Sequence, residues 1–254
     1  MKGFVVLSLA LAVSFSAHAG ENSPTDPHWS YEGERGPAAW GKLTPEFSAC
    51  AAGQTQSPIN IADAESAEMV PITPRYRVSP LDAVYDGRMV QVNVAAGSSV
   101  AIGDRTYRLL TYHFHTPSEH LVDGRAYPME IHFVHKNDAG EWAVLGVLVE
   151  PGEANLAAQE VWDNLPSKPG VHARQERILV NARDLMPETL GYYRYTGSLT
   201  TPPCREGVNW FVLKTPMQFS AEQIKQISDV MGRNARPVQE RHNRIVLGTA
   251  KVGK

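Results

Sequence analysis

The stretch Leu-Leu-Thr-Tyr-His-Phe-His-Thr-Pro-Ser-Glu-His, residues 109–120, places two histidines one residue apart in an apolar and aromatic run. Residues i and i+2 of a β-strand point to the same face, so His113 and His115 project together while Phe114 points the other way. A second run with strand character, Glu130–His135, carries His132 between apolar neighbours. The segment between the two runs contains residues that favour turns, namely Pro117, Asp123-Gly124 and Pro128. The pattern therefore predicts three imidazoles that converge from adjacent strands.

Three converging imidazoles indicate a bound metal ion, because a buried imidazole is costly unless both of its nitrogens have partners. Neutral nitrogen ligands suit zinc, and a set of three histidines leaves the fourth position open for water, as in catalytic zinc sites. Structural zinc sites close all four positions and favour thiolates, whereas this chain has only two cysteines. The sequence therefore favours a catalytic Zn²⁺ site. A His-x-His pair alone is also common in core packing, and the third histidine strengthens the prediction.

The N-terminus has the three parts of a secretory signal peptide. Lys2 is a short charged region, residues 4–15 are apolar, and Ala17-His18-Ala19 matches a cleavage site. The apolar run is too short to span a bilayer. We therefore expect residues 1–19 to be cleaved and residues 20–254 to form one domain that is secreted to the periplasm or outside the cell. An isolated cysteine pair in an exported protein favours a disulfide, with two independent buried thiols as the alternative.

The composition limits the class of partner. The chain has 24 Lys and Arg against 27 Asp and Glu, with a formal net charge of −3 and no basic cluster. This balance argues against nucleic acid or an anionic membrane surface as a partner. No later run is long enough to insert the mature chain into a membrane. The sequence leaves open whether the protein is a monomer or a homodimer.

The 18 prolines and 20 glycines are spread evenly, which favours many short strands and turns over a helical bundle. Strands are predicted at residues 89–95, 98–102, 106–114, 130–135, 142–150, 191–195 and 208–213. A helix is predicted over Ala154–Leu165, ending before Pro166. A second helix is predicted over Ser220–Met231, with a capping-box pattern at its start and a buried stripe of Ile224, Ile227, Val230 and Met231. These elements describe one mainly β domain with peripheral helices.

Further motifs extend the pattern beyond the histidines. They are Gln56-Ser57-Pro58-Ile59-Asn60-Ile61, Ser118-Glu119-His120, Glu130-Ile131-His132, Ser198-Leu199-Thr200-Thr201-Pro202-Pro203, Trp210 and Asn234-Ala235-Arg236-Pro237. In these blocks, taken with His113-Phe114-His115, the chain resembles the α-class carbonic anhydrases of the bacterial, exported type. The resemblance runs in order over nearly the whole mature chain. It implies an α+β fold around a large central twisted, mostly antiparallel sheet. It also implies a sulfonamide-sensitive zinc enzyme whose small-molecule substrate is CO₂, which it reversibly hydrates to bicarbonate and a proton.

The resemblance also implies how the site would work. His113, His115 and His132 would bind Zn²⁺, and zinc-bound hydroxide would attack CO₂. Thr200 would accept a hydrogen bond from that hydroxide and pass its own proton toward Glu119. An ionised carboxylate can only accept hydrogen bonds, so Glu119 would fix the direction of this relay.

Other residues at the site would bind the substrate or support the ligands. Carbon dioxide is apolar, and the residues that would bind it are Val134, Val144, Leu199, Thr201 and Trp210. Glu130 would accept the outer N–H of His132 and orient that ring. By the same resemblance, Cys50 and Cys204 would form the disulfide, which would pin the loop that carries Thr200.

Two positions depart from the family. Fast members carry Asn-Gly-His, whose histidine ferries the product proton to bulk water, where this chain has Asp86-Gly87-Arg88. A guanidinium cannot take up and release a proton near neutral pH, so the usual shuttle is missing and we expect proton release to limit hydration. Arg88 would then either attract anions to the cavity mouth or be a solvated surface charge, with His28 as a substitute shuttle. Thr111 stands where many members have a glutamine bonded to the first ligand, which leaves open whether threonine reaches that ring.

Two other interpretations fit part of the pattern. A metal-dependent cupin also combines His-x-His with a following glutamate, but its glycines would fall at Tyr107 and Ala126, and its glutamate would itself bind the metal. A non-catalytic binding domain related to the carbonic anhydrases would have lost metal ligands. This chain keeps all three histidines together with Thr200 and Glu119.

Overall fold

The strand that carries both histidines of the opening stretch runs from Arg105 to His115 and lies inside a large sheet. The computed structural model describes residues 28–166 and 168–250. The expected signal peptide, residues 1–19, lies outside these described residues. Among the described residues, no helix is long and apolar enough to cross a membrane.

Fifteen strands are found in the described part of the chain. They are β1 (Asn60–Ile61), β2 (Glu65–Ala67), β3 (Ile72–Arg75), β4 (Ser79–Tyr85), β5 (Val90–Asn93), β6 (Ser99–Ile102), β7 (Arg105–His115), β8 (Leu121–Val122), β9 (Met129–Lys136), β10 (Trp142–Pro151), β11 (Val171–Val180), β12 (Tyr192–Ser198), β13 (Glu206–Leu213), β14 (Met217–Phe219) and β15 (Leu247–Thr249). Thirteen of them form one sheet in the order β11-β4-β5-β7-β9-β10-β13-β12-β15-β2, with β3, β6 and β14 paired off this path. The other two, β1 and β8, pair with each other.

The large sheet is mostly antiparallel, as expected. Its parallel pairs are β10 with β13, β10 with β14, and β15 with β2. The two strands that carry the predicted ligands, β7 and β9, are antiparallel neighbours near the middle of the sheet. Each of these strands therefore has a neighbouring strand on both sides, which fixes the register of the histidines that they carry.

All seven strands predicted from the sequence are present, with ends that differ by a few residues. The pattern missed the other eight strands, six of which have only two to four residues. The longest that it missed is β11, which lies at an edge of the sheet and is mostly exposed, so its sequence shows no apolar alternation. It also missed β4, where Leu81 and Ala83 are buried but Pro80 and Asp82 interrupt the run. Exposure at the sheet edge removed the signal of β11, and Pro80, a residue uncommon inside sheets, weakened that of β4.

Within residues 28–166 and 168–250, four α-helices accompany the sheet: α1 (Trp40–Leu43), α2 (Ala49–Ala52), α3 (Leu156–Trp162) and α4 (Ala221–Met231). Short 3₁₀ helices cover Gly33–Arg35, Pro45–Phe47 and Ala182–Leu185. The capping box of α4 is confirmed, since Ser220 and Gln223 exchange side chain to backbone hydrogen bonds. The stripe prediction was wrong at Val230, which is exposed. The α3 prediction was too long, because Asn155 caps its start by accepting from the Ala158 N–H.

The two faces of β7 contact different parts of the structure. Phe114 is fully buried and packs edge-on against Trp162 of α3, with ring centroids 4.7 Å apart. The opposite face of β7 carries His113 and His115. The alternation predicted from the His-x-His pattern is therefore confirmed, with the helix on one side of the sheet and the candidate site on the other.

Candidate active site

Three histidines lie together on the face of the sheet opposite α3. His113 on β7 is the direct cross-strand partner of His132 on β9. The ring centroids are 5.0 Å apart for His113 and His115, 5.3 Å for His113 and His132, and 4.5 Å for His115 and His132. One nitrogen from each ring lies within 4.8 Å of the other two. The structure thus brings together the three residues that the sequence predicted as ligands.

Hydrogen bonds to their outer nitrogens orient two of these rings. The Nδ1 of His115 lies 2.8 Å from the carbonyl oxygen of Asn234, and the Nε2 of His132 lies 2.9 Å from Oε1 of Glu130. Each of these nitrogens donates, so Nε2 of His115 and Nδ1 of His132 carry free lone pairs. Burial lowers the pKa of His115 to about 4 and also lowers the pKa of His132. Both rings are therefore neutral at neutral pH, as metal ligands must be.

The donor set fits a Zn²⁺ ion. The inward Nε2 of His115 is buried and has no hydrogen-bond partner among the described residues. It lies 3.5 Å from Oε2 of Glu119, and Nδ1 of His132 lies 3.8 Å from the same oxygen. Lone pairs and a carboxylate that face one another repel unless a cation lies among them. Three neutral imidazoles with an unpaired inward nitrogen are the arrangement that catalytic zinc uses.

The first histidine differs from the other two in its support. Nδ1, the ring nitrogen nearer to the strand, is buried in His113 without a hydrogen-bond partner among the described residues. Thr111 lies two residues earlier on the same face but makes no bond to it. The cross-strand neighbours of this pair, Gln91 and Asn93, bond to each other at 3.0 Å instead. The shorter threonine therefore leaves the outer nitrogen of His113 unsupported.

Glu119 is buried beside these rings and is held by the backbone of Arg236. Its Oε1 accepts the Arg236 N–H at 2.8 Å. Oε2 makes no hydrogen bond of good geometry within the described residues, but the Thr200 hydroxyl lies close enough to lower the pKa of the carboxyl. Burial is the larger influence and raises the pKa of Glu119 to about 7. A cation bound by the histidines would lower this pKa and favour the ionised form.

Glu130 links two histidines below the site. Its Oε1 lies 2.7 Å from His120 Nδ1 and 2.9 Å from His132 Nε2, while Oε2 accepts the backbone N–H of Glu119 and of His120. Burial acts to raise the pKa of Glu130, but His120 and His132 outweigh it and hold this pKa well below its ordinary value. An ionised Glu130 fixes Nε2 of His132 as a donor.

The chain of hydrogen bonds continues to residues to which the sequence assigned no role. His120 Nε2 lies 2.6 Å from the Tyr195 hydroxyl, which lies 2.8 Å from Ser57 Oγ. Because His120 donates to Glu130 through Nδ1, its Nε2 accepts from Tyr195, and Tyr195 in turn accepts from Ser57. Ser57 Oγ then accepts the N–H of Ser198 at 3.0 Å. His120 and Ser57 lie within motifs quoted above, but no periodic signal marked Tyr195.

An apolar wall adjoins the histidines. Val144 on β10 pairs with Val134 on β9 and with Trp210 on β13, so all three lie in one cross-strand row. Val134 follows His132 by two residues and shares its face, and the Trp210 ring lies 4.8 Å from the His132 ring. Leu199 packs against the same cluster. Four of the five residues predicted to bind the substrate, Val134, Val144, Leu199 and Trp210, therefore belong to one apolar cluster beside His132. The fifth, Thr201, follows Leu199 by two residues in the loop.

Close packing at this wall explains one glycine. Gly146 is the cross-strand partner of His132. A Cβ atom at this position would lie 2.8 Å from Oε1 of Glu130. A larger residue would displace the carboxylate that orients His132.

The predicted pairing of Cys50 with Cys204 is found as a disulfide, with an S–S distance of 2.07 Å. The Cys204 N–H donates to the Thr201 carbonyl at 2.8 Å, so the bond closes the end of the Thr200–Thr201 loop. On the other side, the Arg236 guanidinium donates to the carbonyl oxygen of Cys50 at 2.9 Å. The disulfide is therefore linked by hydrogen bonds to the loop that carries Thr200 and to Arg236, whose backbone N–H binds Glu119.

Two predicted residues remain, Arg88 and His28. Arg88 follows β4 and forms an ion pair with Asp86 at 3.1 Å. Its side chain is 21% exposed, which does not match a freely solvated surface charge. His28 is exposed at the start of the described residues.

Comparison with known proteins agrees with this geometry. The family model for eukaryotic-type carbonic anhydrases matches residues 35–250. A carbonic anhydrase of Pectobacterium carotovorum is 42% identical over 248 residues, covering 97% of this chain and all of the relative. The solved α-carbonic anhydrase of Thermovibrio ammonificans, in complex with the inhibitor sulfanilamide, superposes with a TM-score of 0.83 at 42% identity, covering 87% of this chain and 98% of the other. The α-carbonic anhydrase of Photobacterium profundum gives a TM-score of 0.82 at 39% identity, covering 87% of this chain and all of the other.

Proposed function

The chain belongs to the α-carbonic anhydrase family, enzymes that interconvert CO₂ and bicarbonate, and on that premise we propose that it works with a Zn²⁺ held by His113, His115 and His132. The observation that carries the proposal is the convergence of three imidazoles. The inward nitrogen of one of them, Nε2 of His115, is buried without a hydrogen-bond partner among the described residues. Zn²⁺ held by three uncharged ligands lowers the pKa of a water in its fourth position and supplies a nucleophile near neutral pH, an effect for which carbonic anhydrase is itself the standard example.

Thr200 and Glu119 give the site its direction. Arg236 occupies one oxygen of the Glu119 carboxylate, which leaves the other for the Thr200 hydroxyl. Because an ionised carboxylate can only accept, Thr200 donates to it and presents its own oxygen as an acceptor toward the histidines. An acceptor fixed in this way orients the attacking group toward the substrate carbon and disfavours groups with no proton to donate.

The apolar wall suits the substrate. Carbon dioxide has no hydrogen to donate and little polarity, so it is held by exclusion from water rather than by hydrogen bonds. Val134, Val144 and Trp210 offer such a surface next to His132. Leu199 and Thr201 complete the set of substrate-binding residues that we propose.

The family match argues against a cupin. The three histidines that we propose as ligands, which a non-catalytic relative would have lost, lie together in this chain. The Cys50–Cys204 disulfide agrees with an oxidising compartment. We propose on this ground that the enzyme is exported to the periplasm or beyond, with residues 1–19 as its signal peptide.

Proton release is the step that we propose to limit turnover. The guanidinium of Arg88 is paired with Asp86 and cannot carry a proton near neutral pH. We expect kcat for CO₂ hydration to rise several-fold with the concentration of an imidazole-type buffer, while kcat/KM stays constant. Arg88→His is expected to raise kcat at low buffer concentration. Stopped-flow hydration over a buffer series measures both, and a kcat independent of buffer would contradict a proton-limited enzyme.

The unsupported nitrogen of His113 leads to a prediction about metal retention. Thr111→Gln supplies a longer side chain with an amide oxygen that can accept from Nδ1. We expect this change to slow zinc release by about tenfold, since outer partners of metal-bound histidines contribute on this scale. The readout is the rate at which a chromophoric chelator captures zinc from the purified enzyme.

Thr106→Gln is the matched control for that measurement, because Thr106 lies on the same strand but is exposed and distant from the histidines. It should release zinc at the wild-type rate. Equal rates for Thr111→Gln and the wild type would show that the outer nitrogen of His113 needs no further partner.

A further inference from the structure

Arg88 makes several contacts that a surface charge does not need. The centre of its guanidinium lies 4.1 Å above the Trp29 ring, and Nη1 donates to the Trp29 carbonyl at 3.2 Å. Nη2 and Nε reach Oδ2 of Asp86 at 3.1 Å and 3.2 Å. The guanidinium thus joins the turn after β4 to the N-terminal segment, and all three kinds of contact use its planar fork.

The turn itself is built to present this side chain. Oδ1 of Asp86 accepts the backbone N–H groups of Arg88 and Met89, both at 2.8 Å. Gly87 between them has a φ of +90°, a conformation that side chains rarely adopt. One oxygen of Asp86 therefore shapes the turn while the other holds the guanidinium.

Trp29 connects Arg88 to a buried aromatic cluster. Its ring packs edge-on against Tyr31 at 5.2 Å and against Trp40 at 5.1 Å. Trp40 is fully buried, and its indole N–H donates to the Ser30 carbonyl at 2.8 Å. Segment 28–31 is therefore held by contacts with both Trp40 and Arg88.

Tyr31 belongs to the same aromatic cluster, with its ring 5.8 Å from that of Trp40. Its hydroxyl is buried and has no hydrogen-bond partner among the described residues. Burial raises its pKa well above the usual value, and the charge of Glu119 adds to this rise. The phenol is therefore a buried neutral group on which the charge of Glu119 acts.

We infer that Arg88 is a positioning residue that anchors segment 28–31 to the turn after β4 and thereby fixes Tyr31 in its aromatic cluster with Trp29 and Trp40. Arg88 occupies the position at which a mobile histidine would carry protons, and this chain has a fixed guanidinium there instead. Anion attraction is a weaker explanation, because Asp86 neutralises the charge locally. The inference uses the proposed function only to locate the cavity, and the anchoring itself does not depend on catalysis.

Hydrogen exchange measured by mass spectrometry tests the anchor directly. In Arg88→Gln, amides in segment 28–36 should exchange about tenfold faster, including that of Ser30, which donates to the Arg35 carbonyl at 3.0 Å. Arg88→Lys keeps a charge above the Trp29 ring but loses the fork, so it should give a smaller acceleration. Arg108→Gln is the control, since Arg108 is 66% exposed and only loosely paired with Asp138 at 3.6 Å. Wild-type exchange in Arg88→Gln would overturn the inference.

Kinetics in saturating imidazole buffer test the positioning role separately. Under these conditions proton release is fast, so kcat/KM reports the site itself. We expect kcat/KM to fall a few-fold in Arg88→Gln, with partial rescue in Arg88→Lys and no change in Arg108→Gln. Faster exchange with an unchanged kcat/KM would overturn the positioning of Tyr31. Wild-type exchange with a kcat/KM that has lost its dependence on salt would show instead that Arg88 attracts anions.

Discussion

Glu119→Gln is expected to lower kcat/KM for CO₂ hydration by about 10²- to 10³-fold while the zinc content stays at about one per chain. The amide keeps an oxygen for the Arg236 N–H, so the backbone contact at 2.8 Å survives. The amide nitrogen, however, is a donor, and it turns the Thr200 hydroxyl around. Thr200 then donates away from Glu119 and no longer offers a fixed acceptor at the site. Stopped-flow hydration and metal analysis on the same sample measure the two effects.

Glu188→Gln serves as the control, because Glu188 is an exposed glutamate far from the histidines in the fold. It should leave both readouts unchanged. If Glu119→Gln lost its zinc, the carboxylate would be a metal ligand as in a cupin. If the variant kept full activity with zinc bound, the gating role of Glu119 and Thr200 would be wrong.

His115→Ala is expected to weaken zinc binding by more than about 100-fold, which is more than the loss of an outer hydrogen-bond partner costs. The ring is fully buried, and its Nδ1 bond to Asn234 holds the inward nitrogen in place. Its removal leaves the zinc with only two of its three proposed imidazole ligands. Hydration activity should fall with metal occupancy and return in part at high zinc concentration. Competition with a chelator of known affinity gives the size of the loss.

His172→Ala is the appropriate comparison, because His172 has an exposed side chain on edge strand β11. Its zinc affinity should equal that of the wild type. Thermal unfolding of the metal-free proteins separates loss of affinity from loss of fold. Retention of wild-type zinc affinity in His115→Ala would remove this histidine from the ligand set.

The centre of the fold could be predicted because its signals are local. The alternation around Phe114 and the spacing of His113 and His115 follow from strand geometry, and the structure reproduces both. The same holds for the α4 start, where Ser220 and Gln223 are three residues apart. The prediction failed at Val230 because residue spacing places it next to the buried face of α4 but does not show where that face ends. Its side chain is exposed.

The environment of the site could not be predicted in the same way. Tyr195 and Ser57 reach the Glu130 network across sequence separations of 75 and 138 residues in their two hydrogen bonds. Such contacts depend on how the sheet brings distant strands together, and no short-range pattern encodes them. Arg88 illustrates the same limit. From sequence its charge was visible, but the Trp29 ring that it covers lies 59 residues earlier in the chain.

Zinc K-edge X-ray absorption on the purified enzyme is the decisive measurement for the three-histidine site. We expect a bound, four-coordinate zinc with three imidazole ligands, recognised by the scattering of their rings, one further light-atom ligand and no sulfur ligand. A protein that takes up no zinc, or one whose zinc has sulfur ligands or fewer than three imidazoles, would contradict the proposed site.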